Sequence, residues 1–572
     1  MSDNNKLWKI KEIKEEDSIN RLTKELNINK VLATLLVQRG IKTFKDAHDF
    51  FRPDLKNLHD PFLMKDMDIA VNRIIKAINN NEKILIYGDY DVDGTTAVSM
   101  MYLFLKKFTS NIDYYIPDRY FEGYGLSYKG VEYGSSIKAS LIITLDCGIK
   151  DTNKVLYAKE KNIDVIICDH HTPDEILPPA HAVLDPERSD CNYPFKHLSG
   201  CGVGFKLLQA ILIKKNLPIE ISWAYIDLVT ISIGADIVPI NGENRIIAYY
   251  GLQKINKNPL PGIEAIKKIS GIENKEITIE DIVFRIGPRI NAAGRIDSGR
   301  DAVNLLISDS LEKATIICEK IDKHNQIRKN IDKKITEEAI TELEKIKKKY
   351  YYTNVLYNSS WHKGVVGIVA SRIIDYRYRP TIILTSSNGK ITGSARSIPG
   401  FDLYKALNQC GSLLENFGGH MFAAGLTLKK ENLEQFRNKF EEVVANMITQ
   451  DQLIPFIEID AELNFKDITP KFFRILKQFE PFGPENMIPT FFAENVCDNG
   501  TGRLVGNSEE HLKLCLIQED SPFTSFNAIA FNQAFYYEKI NNGKTFDIAY
   551  TITENNFKGQ TSLQLVIKDI KL

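Results

Sequence analysis

The sequence predicts an α/β protein: a parallel-sheet domain is joined by long helices to a smaller α/β domain, and an OB-like β-barrel follows. Three observations support this fold class. Short apolar runs alternate with amphipathic stretches between residues 84 and 168, which is the pattern of βαβ units. Residues 308–350 carry interspersed charges of both signs, which favours one or two solvated helices. After Ile454 short apolar runs separated by polar turns predict a small Greek-key barrel.

The elements of the parallel-sheet domain follow from where these runs lie. Apolar runs of four to six residues suit strands that are buried on both faces, and the longer amphipathic stretches suit the crossover helices between them. We expect strands over 84–87, 112–117, 141–145 and 165–168, and helices over 95–108, 153–162, 205–215 and 223–233.

The later elements follow in the same way. In the second α/β domain we expect strands over 354–357 and 380–384 and a closing helix over 433–447. In the barrel we expect strands over 456–459, 512–517, 526–531, 546–552 and 562–567, with a helix over 470–478. The 572 residues suit about three or four domains. The expected divisions are an N-terminal helical cap region (1–60), the parallel-sheet domain (61–307), the connector (308–350), the second α/β domain (351–450) and the barrel (455–572).

The charge balance limits how the chain can meet a polyanion. Lys and Arg together number 73 and Asp and Glu 74, so the formal net charge is −1. This balance excludes a polybasic coating that attracts nucleic acid over the whole surface. It leaves room for a local basic path, because a few well-placed cations can bind phosphate groups without a net positive charge.

Cysteine usage and the N-terminus bear on location. The eight cysteines include no C-x-x-C pair, and several lie in apolar runs, so we expect buried free thiols in a reducing cytosol. The first residues lack the apolar core of a signal peptide, and no stretch is apolar enough to span a membrane. We therefore expect a soluble, cytoplasmic protein without a membrane partner.

The densest chemistry is an acidic motif after the first apolar run. Asp89, Asp91 and Asp93 alternate before Gly94, and extended backbone would put their side chains on one face. Carboxylates packed so closely repel one another unless a cation neutralises them. The alternatives are an Asp-rich turn with Gly94 at a positive φ, or half of an EF-hand, which fails because no Glu stands at the twelfth position.

Further metal-competent residues follow other elements. Asp146 ends one apolar run, Asp169-His170-His171 ends another, and Asp236 follows an apolar helix. In an open parallel sheet the carboxyl ends of the strands face one crevice, so these groups should meet there. Asp and His ligands without paired cysteines favour Mn²⁺ or Mg²⁺ over structural zinc.

These motifs carry a family resemblance. The Asp-x-Asp-x-Asp-Gly motif, Asp146, the Asp-His-His run and Asp236 resemble the DHH phosphoesterase superfamily in order and spacing. Residues 284–295 are similar to the arginine motif of the RecJ nucleases within that superfamily. Residues 361–372, 393–397 and 418–425 resemble the DHHA1 companion domain. The resemblance runs from about residue 87 to residue 489 and implies a DHH domain, a DHHA1 domain and an OB-fold.

The resemblance also implies roles for site residues. It implies two Mn²⁺ or Mg²⁺ ions, with Asp146 between them and with Asp89 and His171 as near neighbours of less defined role. The implied metal ligands are Asp89, Asp91, Asp93, Asp146, His170 and Asp236, and the implied catalytic residues are His171, Asp146 and Asp89.

A second set would hold the substrate. Arg119 and Arg289 are the implied anchors of a 5′-phosphate, and Tyr124 could stack on a base. For Arg119 a salt bridge with Asp118 or Glu122 is the alternative. The implied substrate-binding residues are Arg119, Tyr124, Arg289, Arg295, Ser394, Arg396 and His420.

The activity implied by the resemblance is a 5′-to-3′ exonuclease that degrades single-stranded DNA to nucleoside 5′-monophosphates in recombination and repair. The implied partners are single-stranded DNA with a 5′ end, single-strand-binding protein and a RecQ-type helicase, and we expect a monomer. One alternative is a DHH-DHHA1 phosphodiesterase acting on oligonucleotides or cyclic dinucleotides. Another is a replication scaffold without catalysis, which the complete set of expected ligands disfavours.

The C-terminal region departs from the family pattern at one segment. Glu485 and Met487 stand where the family has Gly and Pro, which puts the local turn in doubt. The aromatic residues of this region are expected to fill the core rather than to stack on bases. They are Phe472, Phe473, Phe479, Phe482, Tyr536 and Tyr537.

Overall fold

The computed structural model describes residues 6–296, 298–387, 389–540, 543–557 and 559–572. The chain divides into two compact units. Unit 1 contains the described residues up to Arg52, Ile448–Glu480 and Met487–Leu572. Unit 2 contains Pro53–Met447 and the short segment Pro481–Asn486.

The N-terminal part of unit 1 is a short strand followed by three helices. Asn29 caps the second helix, and Thr43 with Asp46 forms a capping box on the third, which fixes where these helices begin. The elements are β1 (Leu7–Ile10), α1 (Glu16–Leu26), α2 (Lys30–Gln38) and α3 (Phe44–Phe51).

Unit 2 begins with the parallel sheet that the sequence predicts. Its strand order is β3-β2-β4-β5-β6, and every neighbouring pair is parallel. Its elements in chain order are α4 (Met67–Asn79), β2 (Lys83–Gly88), α5 (Val92–Leu105), β3 (Ile112–Tyr115), α6 (Tyr128–Ser136), β4 (Ala139–Leu145), α7 (Thr152–Glu160), β5 (Asp164–Cys168) and β6 (Ala182–Leu184).

Helices cover both faces of this sheet because alternate strand residues point to opposite sides. Ile84 and Ile86 join a core with α4, α5 and the later helix α8, whereas Leu85 and Tyr87 join a core with α6 and α7. The following helices are α8 (Gly200–Lys214), α9 (Ile226–Ala235), α10 (Gly242–Lys257), α11 (Pro261–Ile269), α12 (Ile279–Asp281), α13 (Gly287–Ile296), α14 (Arg300–Leu306) and α15 (Leu311–Ile346), with a π-helical turn at Ile282–Ile286.

The connector is one helix, since α15 runs unbroken for 36 residues. It leads to a second sheet of order β10-β11-β9-β8-β7, in which only β7 and β8 pair in parallel. Across the described residues no helix is both long and apolar enough to cross a bilayer. The elements are β7 (Asn354–Tyr357), α16 (Val366–Tyr376), β8 (Thr381–Ser387), β9 (Lys390–Arg396), α17 (Leu403–Gln409), β10 (Asn416–Gly419), β11 (Ala423–Leu428) and α18 (Leu433–Met447).

The C-terminal part of unit 1 contains the OB-like barrel. Five strands close on themselves, because β14 pairs with both β18 and β16, and the parallel pairing of β17 with β19 completes the Greek key. The elements are β12 (Phe456–Ile459), β13 (Ala461–Glu462), α19 (Pro470–Lys477), β14 (Phe491–Asp498), β15 (Arg503–Val505), β16 (His511–Gln518), β17 (Ser521–Ala530), α20 (Tyr537–Ile540), β18 (Phe546–Phe557) and β19 (Gln560–Lys571).

The predicted fold class is confirmed, with one correction in the barrel. The run 456–459 is a strand, but it pairs with β1 in a separate two-stranded sheet and is not part of the barrel. The fifth barrel strand is β14, which the sequence analysis missed. Its register shifts between Ala493 and Val496, and Asn495 has a φ of 54°, so a bulge interrupts the alternation that would have marked it.

Helices α9 and α10 pack very closely, and α9 ends next to Asp236. The contact centres on Gly251, where an added methyl group would lie 1.8 Å from Thr230 Oγ1 and 2.7 Å from the carbonyl oxygen of Ile226. The Thr230 hydroxyl donates to the Ile226 carbonyl at 2.8 Å and to the Ile247 carbonyl at 3.2 Å, so it cannot move aside without cost.

We predict that Gly251→Ala lowers the free energy of unfolding by about 3 kcal/mol, because the new methyl group meets backbone. Calorimetry should show a lower melting temperature. Gly204→Ala is the matched control on a neighbouring helix, since its methyl group meets only the ends of two flexible side chains, at 3.0 and 3.3 Å. Equal melting temperatures for the two variants would contradict the close packing of α9 on α10.

Candidate functional site

The candidate site lies at the carboxyl ends of the parallel strands. Strand register aligns these ends, with Gly88 opposite Leu145, Leu145 opposite Cys168, and Cys168 opposite Leu184. Strands β2, β4, β5 and β6 are each followed directly by an aspartate, so four carboxyl groups start from one edge of the sheet. They are Asp89, Asp146, Asp169 and Asp185.

The acidic motif does not run as an extended strand, which corrects the expectation that its three side chains share one face. The chain turns into α5 at Val92, and Asp91 caps that helix by accepting the Gly94 N–H at 3.1 Å. Asp93 therefore lies in the first helical turn. The motif still delivers its carboxylates to the crevice, but by a strand end, a cap and a helix rather than by alternation.

The ligand atoms of the candidate metal residues form three overlapping groups. Within each group one ligand atom per residue lies within 4.8 Å of the others, and Asp146 is shared by two groups. Because Asp146 and His170 each belong to two groups, the groups are contiguous and could hold two neighbouring cations. The groups are Asp89, Asp91 and Asp146; Asp93, His170 and Asp236; and Asp146, His170 and His171.

His170 lies at the centre of the carboxylates. Its Nε2 atom is 3.3 Å from Asp146 Oδ1, 3.6 Å from Asp236 Oδ2 and 3.7 Å from Asp93 Oδ2. Within the described residues this nitrogen and Asp89 Oδ1 are buried and have no hydrogen-bond partner. Buried polar atoms without partners are costly, and a coordinated cation would satisfy both.

The pKa values of the carboxyl groups also indicate that the site needs a cation. Burial, reinforced by neighbouring carboxylates, raises the pKa of Asp89, Asp146 and Asp236 well above the ordinary range. The site as built thus holds more negative charge than it can stabilise by itself. Carboxylate oxygens, which supply most of the candidate ligand atoms, suit Mn²⁺ and Mg²⁺, so the residues present fit such ions.

Hydrogen bonds fix Asp93 before any ion binds. Its Oδ2 accepts the Gly200 N–H and its Oδ1 accepts the Cys201 N–H, both at 2.7 Å, and Ser232 Oγ donates to Oδ1 at 2.7 Å. The two N–H groups come from the first turn of α8, where the helix dipole also favours a negative charge. Asp93 is therefore a preorganised carboxylate.

Asp146 is held in an uncommon backbone conformation. Its φ is 61°, and its N–H donates to the Cys168 carbonyl at 2.9 Å. Gly200 makes room for it, because a methyl group there would come within 2.5 Å of Asp146 Cβ. A left-handed aspartate held on two sides is the kind of local strain that concentrates at functional sites.

His171 has partners of its own beside the metal residues. Its Nδ1 lies 2.8 Å from Asp169 Oδ1 and 3.0 Å from the hydroxyl oxygen of Tyr124. The Tyr124 hydroxyl donates its proton to the Asp146 carbonyl at 3.1 Å. Burial lowers the pKa of His171, but the hydrogen bond and charge of Asp169 outweigh it and raise the pKa to about 9. An imidazolium with an N–H donor therefore stands at the edge of the site at neutral pH.

Four cations gather next to this acidic centre: Arg119, Arg295, Lys363 and Arg396. Burial lowers the pKa of the last three, and the charge of Arg119 lowers each further, which requires that they lie near it. For Arg295 the pKa falls to about 9. Within the described residues none of the four forms a salt bridge, although the charge of Arg119 acts on Asp89 and that of Arg295 on Asp332. Crowded cations without salt-bridge partners suit an anionic ligand.

Within the described residues Arg119 forms no salt bridge with Asp118 or Glu122. Asp118 accepts the N–H groups of Tyr120 and Phe121, and Glu122 accepts the hydroxyl groups of Tyr115 and Ser127. The guanidinium of Arg119 instead lies over the Tyr90 ring, 4.6 Å from its centroid. It remains available to a ligand.

Arg289 is placed differently from the other predicted phosphate ligands. Its Nε pairs with Asp322 Oδ1 at 3.0 Å, and its Nη1 donates to the Arg285 carbonyl at 2.8 Å. Arg295 therefore belongs to the cation cluster, whereas Arg289 forms a salt bridge with Asp322 on α15.

The second α/β domain reaches the same centre through β9 and the turn before β11. Arg396 Nη1 donates to Ser394 Oγ at 2.8 Å. Burial lowers the pKa of His420, and the nearby charges of His171 and Arg396 lower it further. Ser394, Arg396 and His420 thus lie with the predicted residues of the first domain.

Two residues of the site were missed from the sequence. Lys363 stands inside a motif that was noticed, but a lone lysine gave no signal of its neighbours. Asp185 follows the short strand β6, and burial and the nearby Asp169 charge raise its pKa to about 8. The apolar run Ala182–Leu184 before it carried the same strand-end signal as Asp146.

Three family profiles match the chain. The DHH family, N-terminal domain, matches residues 83–233, the DHHA1 domain matches residues 347–446, and the RecJ OB domain matches residues 459–569. The chain is 38% identical over 564 residues to the single-stranded-DNA-specific exonuclease RecJ of Bacillus subtilis, covering 98% of this chain and 70% of that protein. It is 35% identical over 535 residues to the protein of the same name from Haemophilus influenzae, covering 90% and 92%.

Solved structures share the fold. The crystal structure of RecJ in complex with Mn²⁺ from Thermus thermophilus matches with a TM-score of 0.85 at 24% identity, covering 100% of this chain and 80% of that chain. The structure of an exonuclease RecJ bound to manganese matches with a TM-score of 0.59 at 28% identity, covering 70% and 98%. The profiles, the relatives and the fold agree over nearly the whole sequence. The chain therefore belongs to the RecJ family of single-stranded-DNA-specific exonucleases.

Proposed function

We propose that this chain is a 5′-to-3′ exonuclease that degrades single-stranded DNA to nucleoside 5′-monophosphates with two Mn²⁺ or Mg²⁺ ions, and that it serves DNA recombination and repair. One observation carries the proposal: an acidic centre lies at the carboxyl ends of the parallel strands, and cations without salt-bridge partners lie beside it. Such a pair can bind a phosphodiester between bound metal and guanidinium groups.

The metal ligands in this proposal are those the sequence predicts. Asp89, Asp91 and Asp146 would hold one ion, and Asp93, His170 and Asp236 would hold the other. Two such ions neutralise phosphate charge and strengthen water as a nucleophile at neutral pH. The chain's own contribution is rigidity, because Asp93 is fixed by three donors before binding.

We assign His171 the role of a proton donor at the leaving oxygen. Asp169 accepts a hydrogen bond from one side of its ring and keeps it protonated, so an N–H can point to an oxygen that gains charge. Tyr124 bonds the same ring and the Asp146 backbone, which makes it a positioning residue as well as a platform for a base. Its ring is half-exposed, as stacking requires.

The cation cluster supports recognition of a 5′ end. Arg119 and Arg396, with Ser394, would grip the terminal phosphate, and Arg295, Lys363 and His420 would hold the adjoining backbone. Arg289 can bind the 5′-phosphate in this proposal only if its guanidinium group leaves the Asp322 carboxylate. Contacts of this kind read the backbone and accept any base sequence.

We propose a division of labour along the expected boundaries. Residues 61–307 would carry catalysis, residues 351–450 the grip on the substrate, and the barrel within 455–572 the trailing strand. Of the six aromatics predicted to fill the core, Phe472, Phe479 and Tyr536 are buried and cannot serve as platforms, whereas Phe473, Phe482 and Tyr537 are partly exposed. Among the described side chains of the barrel region the exposed aromatics are Phe523, Phe531 and Phe535.

The wider setting belongs to the same proposal. We place the protein in the cytoplasm as a monomer that meets single-stranded DNA with a 5′ end, single-strand-binding protein and a RecQ-type helicase. A phosphodiesterase specific for oligonucleotides or cyclic dinucleotides has no need of a barrel for long strands. Digesting long strands labelled at the 5′ or the 3′ end separates the two: release of labelled mononucleotide from the 5′ end first supports the proposal, and activity confined to very short strands contradicts it.

We predict that Asp146→Asn abolishes hydrolysis, with a loss on the order of a thousandfold in kcat, because it removes the carboxylate shared by two ligand groups. Asn tolerates the left-handed backbone at this position better than Ala, so the fold should survive. Binding of single strands should change less than about twofold, because it rests on the cations and the barrel. Loss of binding in a folded variant would contradict this division of labour.

We predict that Arg119→Gln raises KM for 5′-phosphorylated strands by about tenfold to a hundredfold, which corresponds to one charge-assisted contact. The effect on strands with a 5′-hydroxyl end should be much smaller. Lys390→Gln, which removes an exposed cation paired with Glu415 in the second α/β domain, is the control. Equal effects of Arg119→Gln on both kinds of end would rule out a 5′-phosphate anchor at Arg119.

We predict that Phe523→Ala combined with Phe531→Ala weakens binding of strands of about 30 nucleotides by about thirtyfold or more, since each stacked base contributes about 1–3 kcal/mol. Strands of about five nucleotides should bind as before. Phe44→Ala removes a ring of unit 1 that lies on α3 and is as exposed as Phe531, and it serves as the control. Equal losses for long and short strands would count against a trailing-strand role.

A further inference from the structure

One short segment of the C-terminal region belongs to unit 2, which contains the proposed metal centre. Pro481–Asn486 groups with unit 2, although the chain before and after it groups with unit 1. Within unit 2 it packs on the residues that follow Asp236, here called the Asp236 loop (236–241). This loop joins α9, whose C-terminal cap is Asp236, to α10.

The segment is a tight turn with an unfavourable residue at its third position. The Asn486 N–H donates to the Gly483 carbonyl at 2.9 Å, and the Gly483 N–H donates to the Asn486 carbonyl at 3.0 Å. Pro484 occupies the second position and Glu485, with a φ of 60°, the third. A type II turn has this pattern and favours Gly or Asn at the third position. The departure from Gly therefore leaves the turn intact but strained.

Three contacts join the turn to the Asp236 loop. The Ile240 N–H donates to the Pro484 carbonyl at 2.8 Å. The Asn241 side-chain amide donates to the Glu485 carboxylate. Gly483 lies against the Ile240 side chain so closely that an added methyl group would come within 2.5 Å of Ile240 Cγ1. Two hydrogen bonds and one close packing contact thus hold the loop at Ile240 and Asn241.

The loop needs such support. Ile237, directly after Asp236, has a φ of 60°, which is rare for a β-branched residue, and its side chain is exposed. Conformations of this kind persist only where the surroundings hold them. The loop is held at Pro239 by the Asn244 side-chain amide at 3.0 Å and at Ile240 by the turn. These restraints keep Asp236 Oδ2 at 3.6 Å from His170 Nε2.

We propose that Pro481–Asn486 is a positioning element for Asp236: it holds the Asp236 loop in the strained conformation in which this carboxylate faces His170. The inference rests on the proposed metal centre and adds to it a part of the C-terminal region that touches neither ion nor substrate. Glu485 is a positioning residue in this proposal. Its carboxylate accepts a hydrogen bond from the loop that Gly could not accept, although Gly would fit the turn without strain.

The test measures Mn²⁺ binding to the metal-free full-length chain by calorimetry and by the EPR signal of unbound Mn²⁺. Gly483→Ala displaces Ile240 and should weaken one of two bound ions at least tenfold. Glu485→Gly removes only the side-chain bond while easing the turn, and should weaken the same ion about threefold. Glu485→Gln keeps an acceptor for Asn241 and should bind like the unaltered chain.

Two further variants identify the ion and control for the backbone. Asp236→Asn should lose the ion that Gly483→Ala weakens. Glu509→Gly changes a Glu that also has a positive φ, 54°, but lies in the barrel region, and should leave both ions unchanged. At saturating Mn²⁺ the kcat of Gly483→Ala should recover, whereas that of Asp236→Asn should not.

Unchanged Mn²⁺ binding in folded Gly483→Ala and Glu485→Gly would overturn the positioning role and leave the metal centre standing. Weakening of both ions alike, or an effect of Glu509→Gly equal to that of Glu485→Gly, would also overturn it. If the unaltered chain bound no Mn²⁺, the proposed function would fail first, and this inference with it.

Discussion

The structure depends on one electrostatic constraint: carboxyl groups are buried together at the ends of parallel strands. Register brings Asp89 and Asp146 to the same edge, and turns and helix ends add Asp91, Asp93 and Asp236. Burial and mutual repulsion raise the pKa of Asp89, Asp146 and Asp236, so the centre is unstable as a set of bare anions. Cations are what the arrangement lacks, and much of the surrounding structure serves to hold the anions in place for them.

The surrounding devices differ in kind. The first turn of α8 and the Ser232 hydroxyl fix Asp93, a left-handed backbone fixes Asp146, and the turn at Pro481–Asn486 supports the loop after Asp236. Each of these restraints lowers the entropy lost when a ligand binds, because the groups are already in position. Strain in the site is thus offset by packing and hydrogen bonds outside it.

The fold class could be predicted because it follows from runs and periodicity, and so could the meeting of strand-end residues in one crevice. The predictions that failed and the residues that were missed depend on local geometry or on contacts between residues far apart in sequence. The bulge in β14 hid a strand, and the turn into α5 could not be seen in an alternating motif. The pairing of Arg289 with Asp322 and the approach of Lys363 to Arg119 join residues far apart in sequence, for which composition and spacing carry no signal. The net charge of −1 was equally uninformative, because it averages an acidic centre with the cations beside it.

Anomalous scattering from crystals of the chain soaked in Mn²⁺ tests the central claim most directly, since it locates the ions without relying on activity. The account predicts two manganese peaks, one in contact with Asp89, Asp91 and Asp146 and the other in contact with Asp93, His170 and Asp236. A single peak, or peaks away from the carboxyl ends of the parallel strands, would contradict it.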